Sequence, residues 1–397
     1  INAPLVNDEA LTYLEYIHTG HLFPFIGPSY IWSANNHYLN TVLGFLSTSA
    51  FGVSEITLRL PNVLSYILFS YWTFLLGRRL YPDAWFRWLF WLAIFLSYYF
   101  IEFFGYARGY GLANAFIAGG IYYMVDYWQN GSAKQYKRSV ICVIFALMAN
   151  LNLLILALLW QLIPYIKHSY KWRMLRPYIA PIVQINVFVI TAVLSAFYLK
   201  NRDQLYIGAN SPIEFLKNWS YGYESGPFTG YIIIIVPVVC VGALFLCLKG
   251  LIKPVSGLWP IYFLFSFSIL GVIGMNFIMD VLYPIQRNSM HLYFLFIICF
   301  VLMLSLLKEK WLITPILIAG YAFLIPLVNK TYDNLNLYRA SDKVWQYEQL
   351  GEKTYHTLKD RINPLKETVS APNMTYPYQL YFYNIKNEGD IGFVEES

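Results

Sequence analysis

Residues 139–163 read SVICVIFALMANLNLLILALLWQLI, an apolar run broken in its middle by Asn150 and Asn152. As one helix, the run would cross a hydrocarbon core about 30 Å thick, which takes roughly 20 residues. As two shorter helices, it would turn back at the asparagines. The flanks choose between these. Lys134, Lys137 and Arg138 stand before the run, and Lys167, Lys171, Arg173 and Arg176 stand after it. Short basic loops are retained on the cytoplasmic side. Both flanks can be inside only if the run goes out and returns. A short hairpin is therefore expected, with Asn150 and Asn152 near the outer side. Such a turn is tolerated at membrane depth where protein or water surrounds it.

The rest of the chain extends this pattern. Of 397 residues, 58% are hydrophobic, 19% aromatic and 13% charged. That is about half the charged share of an ordinary soluble domain. Further spans are expected near 56–77, 85–101, 109–128, 179–199, 230–249, 257–278, 288–307 and 311–328. The other basic connections hold Arg78, Arg79 and Arg87, then Lys249 and Lys253, then Lys308 and Lys310. With all five inside, residues 1–55, 102–108, 200–229, 279–287 and 329–397 fall outside. The expected class is an all-α polytopic membrane protein of roughly ten transmembrane helices. An external start followed by an inward helix at 56 implies a transmembrane helix before Ile1.

The net charge of +6 sits in these loops, which makes it a matter of membrane orientation and not of nucleic-acid binding. Cys142, Cys240, Cys247 and Cys299 lie inside apolar segments without a Cys-x-x-Cys pair or Cys/His cluster, so neither a zinc centre nor a disulfide framework is indicated. Three regions follow: 1–55 as a first external loop, 56–328 as the transmembrane domain and 329–397 as a small polar external segment. Within the first, Ala10–Ile17 and Leu39–Phe51 are expected as interfacial helices with their aromatic faces in the headgroups. Within the last, YPYQLYFYNI (376–385) reads as strands or as an aromatic belt.

Conspicuous polar residues fall on the outer side. Asp8 and Glu9 open the chain; Asn35, Asn36 and His37 follow in WSANNHYLN. Glu102, Tyr106, Arg108 and Tyr110 sit together in IEFFGYARGYG (101–111), and Gln286, Arg287 and His291 lie at another span's outer end. Each has a plainer reading. Asp8 and Glu9 suit the first turn of a helix, and Arg59 and Arg287 can snorkel to the headgroups. Glu102 can pair with Arg108, His37 can be a hydrogen-bonded loop residue, and His18 and His21 read as turn residues beside Gly20. In combination, carboxylates and arginines on one face suit a reaction that deprotonates one partner and holds a phosphate on the other.

Order and spacing here resemble the GT-C glycosyltransferases, in particular the protein-mannosyltransferase-like and aminoarabinose-transferase-like group. NDEALTY (7–13) is similar to that family's Asp-Glu motif in its first external loop. NNHYLNTVLGFLSTSAFGVSEITLRLPNVLSYILF (35–69) is similar to its Asn-His-x-Leu segment, with the following Gly-x-(Ser/Asp)-Glu turn and Arg-Leu-Pro. GRRLYPD (77–83) resembles the basic turn after that span, and FGYARGYGL (104–112) the Gln-Glu-Ala-Arg-x-Tyr motif. YPIQRNSMHLYFLF (283–296) is a weaker echo of Arg-Tyr-Leu-x-Pro. The likeness covers residues 5–125 well and 280–300 loosely. Tyr106 departs from it by standing where the family commonly has Glu, and Arg287 by preceding Asn.

The resemblance implies a GT-C-like bundle with external amphipathic helices in a bacterial inner membrane. It implies inverting transfer of a sugar from a polyprenyl-phosphate donor to a glycan, protein or lipid acceptor on the extracytoplasmic side. In that chemistry Asp8 is the base, and Glu9 either assists it or binds a divalent cation beside His37. Arg108 and Arg287 stabilise the leaving phosphate, Glu102, Asn36, His37, Tyr106 and Tyr110 line the substrate site, and the aromatics Trp32, Tyr106 and Tyr110 can stack on sugar faces. Two other classes stay open: a transporter or flippase for a lipid-linked sugar, and a silent subunit on the same scaffold.

Overall fold

The computed structural model describes residues 5–22, 36–168, 171–202, 208–219, 229–252, 258–306, 314, 318, 321, 324, 350–361, 368–370, 376–387 and 392–394. The expected span at 311–328 and residues Trp32 and Asn35 lie outside the described residues or almost entirely so. The chain divides into two compact units. Unit 1 holds residues 1–64, 104–109 and 332–397; unit 2 holds 65–103 and 110–331.

The helices whose bounds fall among the described residues begin with α1 (Asn7–Thr12, continued by a π turn Tyr13–His18), α2 (Tyr38–Phe51), α3 (Glu55–Leu80), α4 (Ala84–Phe95), α5 (Tyr98–Phe104) and α6 (Gly109–Asn130). They continue with α7 (Ala133–Ala149), α8 (Leu154–Lys167), α9 (Trp172–Leu175), α10 (Ile179–Lys200), α11 (Pro212–Trp219) and α12 (Thr229–Ile252). Then come α13 (Trp259–Met279), α14 (Met290–Ser305), α15 (Leu350–Lys359) and α16 (Tyr376–Lys386). A short parallel pair, β1 (Thr368–Ser370) with β2 (Gly392–Val394), is the strand content among the described residues.

In unit 2 the stretch 139–163 is two helices. α7 ends at Ala149, and the Asn150 side chain accepts the Asn152 N–H at 3.1 Å, capping a single 3-10 turn before α8. Trp160 on α8 donates its indole N–H to Ser139 on α7 at 3.2 Å. Ser139 and Trp160, on either side of the turn, can meet this way only if the helices run antiparallel. The hairpin is present.

The basic ends gather. Arg79 at the end of α3 pairs with Asp126 near the end of α6 at 2.5 Å. Lys167 at the end of α8 donates to the carbonyls of Tyr127 and Trp128 at 2.7 and 2.6 Å, satisfying part of α6's open C-terminus. Arg138 in the first turns of α7 lies over the Tyr123 ring. The ends that the charge pattern places on one side are thus joined in space.

Among the described residues, four helices are long and apolar enough to cross a membrane: Glu55–Leu80, Arg173–Lys200, Trp259–Met279 and Arg287–Ser305. Ala84–Phe95, Leu151–Lys167 and Ile235–Gly250 are shorter apolar helices. On α10, Ile182, Ile185, Val189, Ala192 and Leu199 are buried, while Val183, Val187, Ile190, Leu194 and Phe197 form an exposed stripe on the other face. Water would not tolerate such a stripe, and lipid tails cover it without penalty. The architecture is that of a helical polytopic membrane protein. One expected span, 85–101, is broken into α4 and α5 at Leu96–Ser97, where the Ser97 carbonyl accepts the N–H groups of Phe100 and Ile101 and restarts the helix.

Unit 1 departs from two expectations. The segment 376–385 is neither strand nor aromatic belt but the helix α16, because Gln379, Leu380 and Tyr383 place one buried face at helical spacing. That face receives α1: Leu5, Ala10, Tyr13 and Ile17 pack with Tyr355, Leu380, Phe382 and Tyr383. The aromatic side of α1 is therefore buried in protein and not laid into headgroups.

Candidate active site

Glu9 is the third residue of α1, and its carboxylate turns back to accept the Val6 N–H at 3.0 Å, as acids do at helix starts. Its other contacts are long-range. Arg59 on α3 meets it as a fork, Nε to one oxygen at 2.9 Å and Nη2 to the other at 2.5 Å. The Ala107 N–H donates to it at 2.6 Å. Each carboxylate oxygen thus accepts two donors. The side chains of Glu9 and Arg59 are 0% and 1% exposed.

The peptide carbonyl of Ala107 is held from its other end. It accepts the Asn40 amide at 2.9 Å, and Asn62 on α3 donates to Asn40 at 2.5 Å. Residues from α1, α2 and α3 therefore fix the 104–109 segment at a single residue, Ala107. Tyr106, beside that peptide, is buried with its ring under the Arg59 guanidinium at 5.9 Å. The departure from the family motif at this position accordingly faces the buried ion pair.

Fixing Ala107 fixes Arg108. The Arg108 side chain is 3% exposed, and its Nη2 stands 3.3 Å from Oδ2 of Asp8, whose side chain is 24% exposed. Nη1 also faces the Asp8 carbonyl at 3.4 Å. Asp8 and Arg108, 100 residues apart, form a contact whose carboxylate end reaches solvent. Asn36 and His37 are buried at the start of α2, where Asn36 accepts the Thr41 hydroxyl at 2.9 Å and the His37 carbonyl accepts the Thr41 N–H.

Among the described residues no three of His, Cys, Asp and Glu gather as a metal-holding group. A carboxylate offers about four lone-pair sites, and Glu9 spends all four on N–H donors. Its donor set does not fit a cation shared with His37.

The other expected residues belong to unit 2. Arg287 lies over the Tyr110 ring at 6.0 Å, and the Tyr110 hydroxyl donates to Asn288 at 3.1 Å. Phe103 meets Tyr110 edge-on, Glu102 is half-buried in α5, and His291 is buried at the start of α14. Asn40 and Asn62 pass unremarked in the sequence, and Arg59 is read there only as a side chain that can snorkel. Arg59 carried the signal, as a charge inside an apolar span. It does not snorkel, because Glu9 neutralises it in place.

No model of a known protein family matches the chain, and no curated protein sequence matches it. Among solved structures, the chain is similar to ArnT from Cupriavidus metallidurans in the apo state, with 13% identity and a TM-score of 0.48 over 100% of this chain and 82% of that one. It is similar also to ArnT from the same organism bound to undecaprenyl phosphate, with 13% identity and a TM-score of 0.49 over 100% of this chain and 83% of that one. Identity at this level carries neither residue roles nor chemistry from those proteins to this one.

Proposed function

We propose that this protein is an inverting glycosyltransferase that moves a sugar from a polyprenyl-phosphate donor to a glycan, protein or lipid acceptor on the extracytoplasmic face of the membrane. The observation that carries the reading is the contact between Asp8, partly open to solvent, and the buried Arg108 guanidinium. A lipid phosphate is already a good leaving group, so the donor side needs a fixed cation more than a general acid. Arg108 supplies one whose position is set by the Ala107 peptide. An acceptor hydroxyl is a poor nucleophile, and a carboxylate within hydrogen-bond reach takes its proton as attack proceeds.

In the step itself, the acceptor oxygen forms its bond to the anomeric carbon from the face opposite the phosphate. The bond from that carbon to the phosphate oxygen breaks, and the electron pair leaves with the lipid phosphate. The hydroxyl proton passes to Asp8. Glu9 keeps to the buried pair with Arg59 and assists through position. Arg287 is assigned the phosphate-stabilising role, and Tyr110, Glu102, Asn36 and His37 the substrate-lining roles, that the sequence resemblance implies. The orientation rests on the gathered basic ends of α3, α6, α7 and α8, which the positive-inside rule assigns to the cytoplasm.

The test is transfer from radiolabelled polyprenyl-phosphate sugars by the purified protein. Asp8→Asn is expected to keep donor binding and lose transfer by about 10²–10⁴-fold, the range for a positioned base. Arg108→Ala is expected to lose donor affinity and transfer together. Intact turnover in Asp8→Asn would sink the assignment. Movement of the donor across vesicles with its sugar–phosphate bond unbroken would replace the enzyme by a flippase.

A further inference from the structure

The chemistry proposed above makes no use of the C-terminal helix α16, yet α16 grips the turn that carries Asp8. Gln379 and Tyr383 sit one helical turn apart on it, and both are buried. Gln379 donates its amide to the Leu5 carbonyl at 2.9 Å, and the Tyr383 hydroxyl oxygen accepts the Leu5 N–H at 3.2 Å. Both polar groups of one backbone residue, three positions before Asp8, are thus taken by side chains more than 370 positions away. Leu5 is itself fully buried, so without these partners its peptide groups would stand unpaired away from water.

The grip continues on either side. Past Asp8, Tyr13 meets Phe382 edge-on with ring centroids 5.2 Å apart. Lys386 at the end of α16 pairs with Glu55 at 2.7 and 2.8 Å, in the first turn of the helix that carries Arg59 one turn later. Burial, with the charge of Glu55 beside it, holds the Tyr383 hydroxyl well above its ordinary pKa, so it keeps its proton. Even with the π turn that continues it, α1 is too short to hold its own geometry in isolation.

We infer that α16 is a strap that positions Asp8 for catalysis, with Tyr383 and Gln379 as positioning residues. This rests on the transferase reading. The strap fixes the backbone before Asp8, the Glu9–Arg59 pair fixes it after, and the carboxylate between them meets Arg108. A base displaced by about 1 Å loses much of its rate while the donor site is untouched. The C-terminal segment then belongs to the active site by position and not by contact with substrate.

The test uses the full chain. Tyr383→Phe removes one hydroxyl and keeps the ring's packing; Gln379→Met serves as a second variant. Amide exchange over residues 5–12 is expected to rise about tenfold or more in either variant, with α6 unchanged. Per folded molecule, kcat is expected to fall about tenfold with donor KM held within about twofold. Tyr383→Phe added to Asp8→Asn is expected to cost no further rate, because the strap acts through Asp8. Unchanged exchange over 5–12 overturns the strap, whatever the activity. Raised exchange with unchanged kcat, or a double variant slowed by the product of the singles, overturns its positioning role. A parent protein inactive with every donor overturns the transferase reading instead, and the exchange result alone then decides whether the strap holds α1.

Discussion

Asp8 and Glu9 are neighbours in sequence with opposite surroundings. Glu9 is sealed against a buried arginine, and Asp8 is partly open to solvent. Their substitutions should separate cleanly. Glu9→Gln puts an NH₂ group among four N–H donors and takes the neutralising carboxylate away from the buried Arg59 guanidinium. Breaking a buried pair from one side costs about 3–5 kcal/mol. Glu9→Gln is expected to lower the thermal midpoint of detergent-solubilised protein steeply, and Asp8→Asn to leave it nearly unchanged. Glu9→Gln combined with Arg59→Met is expected to regain part of the loss, since the buried charge that the carboxylate neutralised is gone with it. A Glu9→Gln protein as stable as its parent would refute this role of the Glu9–Arg59 pair. The charge of Arg59 inside an apolar span was readable in the sequence. Its partner was not, because the two stand 50 residues apart and only the folded chain joins them.

At the scale of elements, legibility followed the kind of signal. The hairpin at 139–163 could be read because charge on both flanks demanded it, and Asn150 marks the turn. The break between α4 and α5 could not, since Leu96 and Ser97 carry no Gly or Pro and the run remains apolar. The tyrosines of 376–385 favour strands by propensity, but burial of Gln379, Leu380 and Tyr383 on α1 decided for helix. Packing in unit 2 adds a further dependence that sequence alone conceals. Trp91 on α4 donates its indole N–H to the Thr73 carbonyl at 3.3 Å, and a Cβ at Gly77 would sit 2.2 Å from that same nitrogen. Gly77→Ala is expected to force the helices apart at a cost of about 1–3 kcal/mol. Gly274→Ala on α13 has nothing within 4 Å of the new carbon and is expected to be neutral or slightly stabilising. Thermal unfolding of both variants checks this, and equal midpoints would contradict the close fit.

For the whole molecule, everything proposed about chemistry depends on which side of the membrane each loop occupies. Arg79, Arg138 and Lys167 meet at the ends of α3, α7 and α8 around the end of α6. A membrane potential that is negative inside, with anionic lipid on that leaflet, retains such a cluster in the cytoplasm. Cysteine placed at Ser132, between α6 and α7, is then expected to resist an impermeant thiol reagent in sealed cells and to react after permeabilisation. Cysteines at Ser225 and Ser341, outside the described residues, are expected to react from outside directly. The native cysteines Cys142, Cys240, Cys247 and Cys299 are buried or half-buried in apolar helices and should contribute little background. Labelling of Ser132→Cys from outside with Ser225→Cys protected would invert the orientation. Asp8 would then face the cytoplasm, where soluble nucleotide sugars are at hand and a lipid-phosphate donor offers no advantage. The same Asp8–Arg108 pair would need a different substrate.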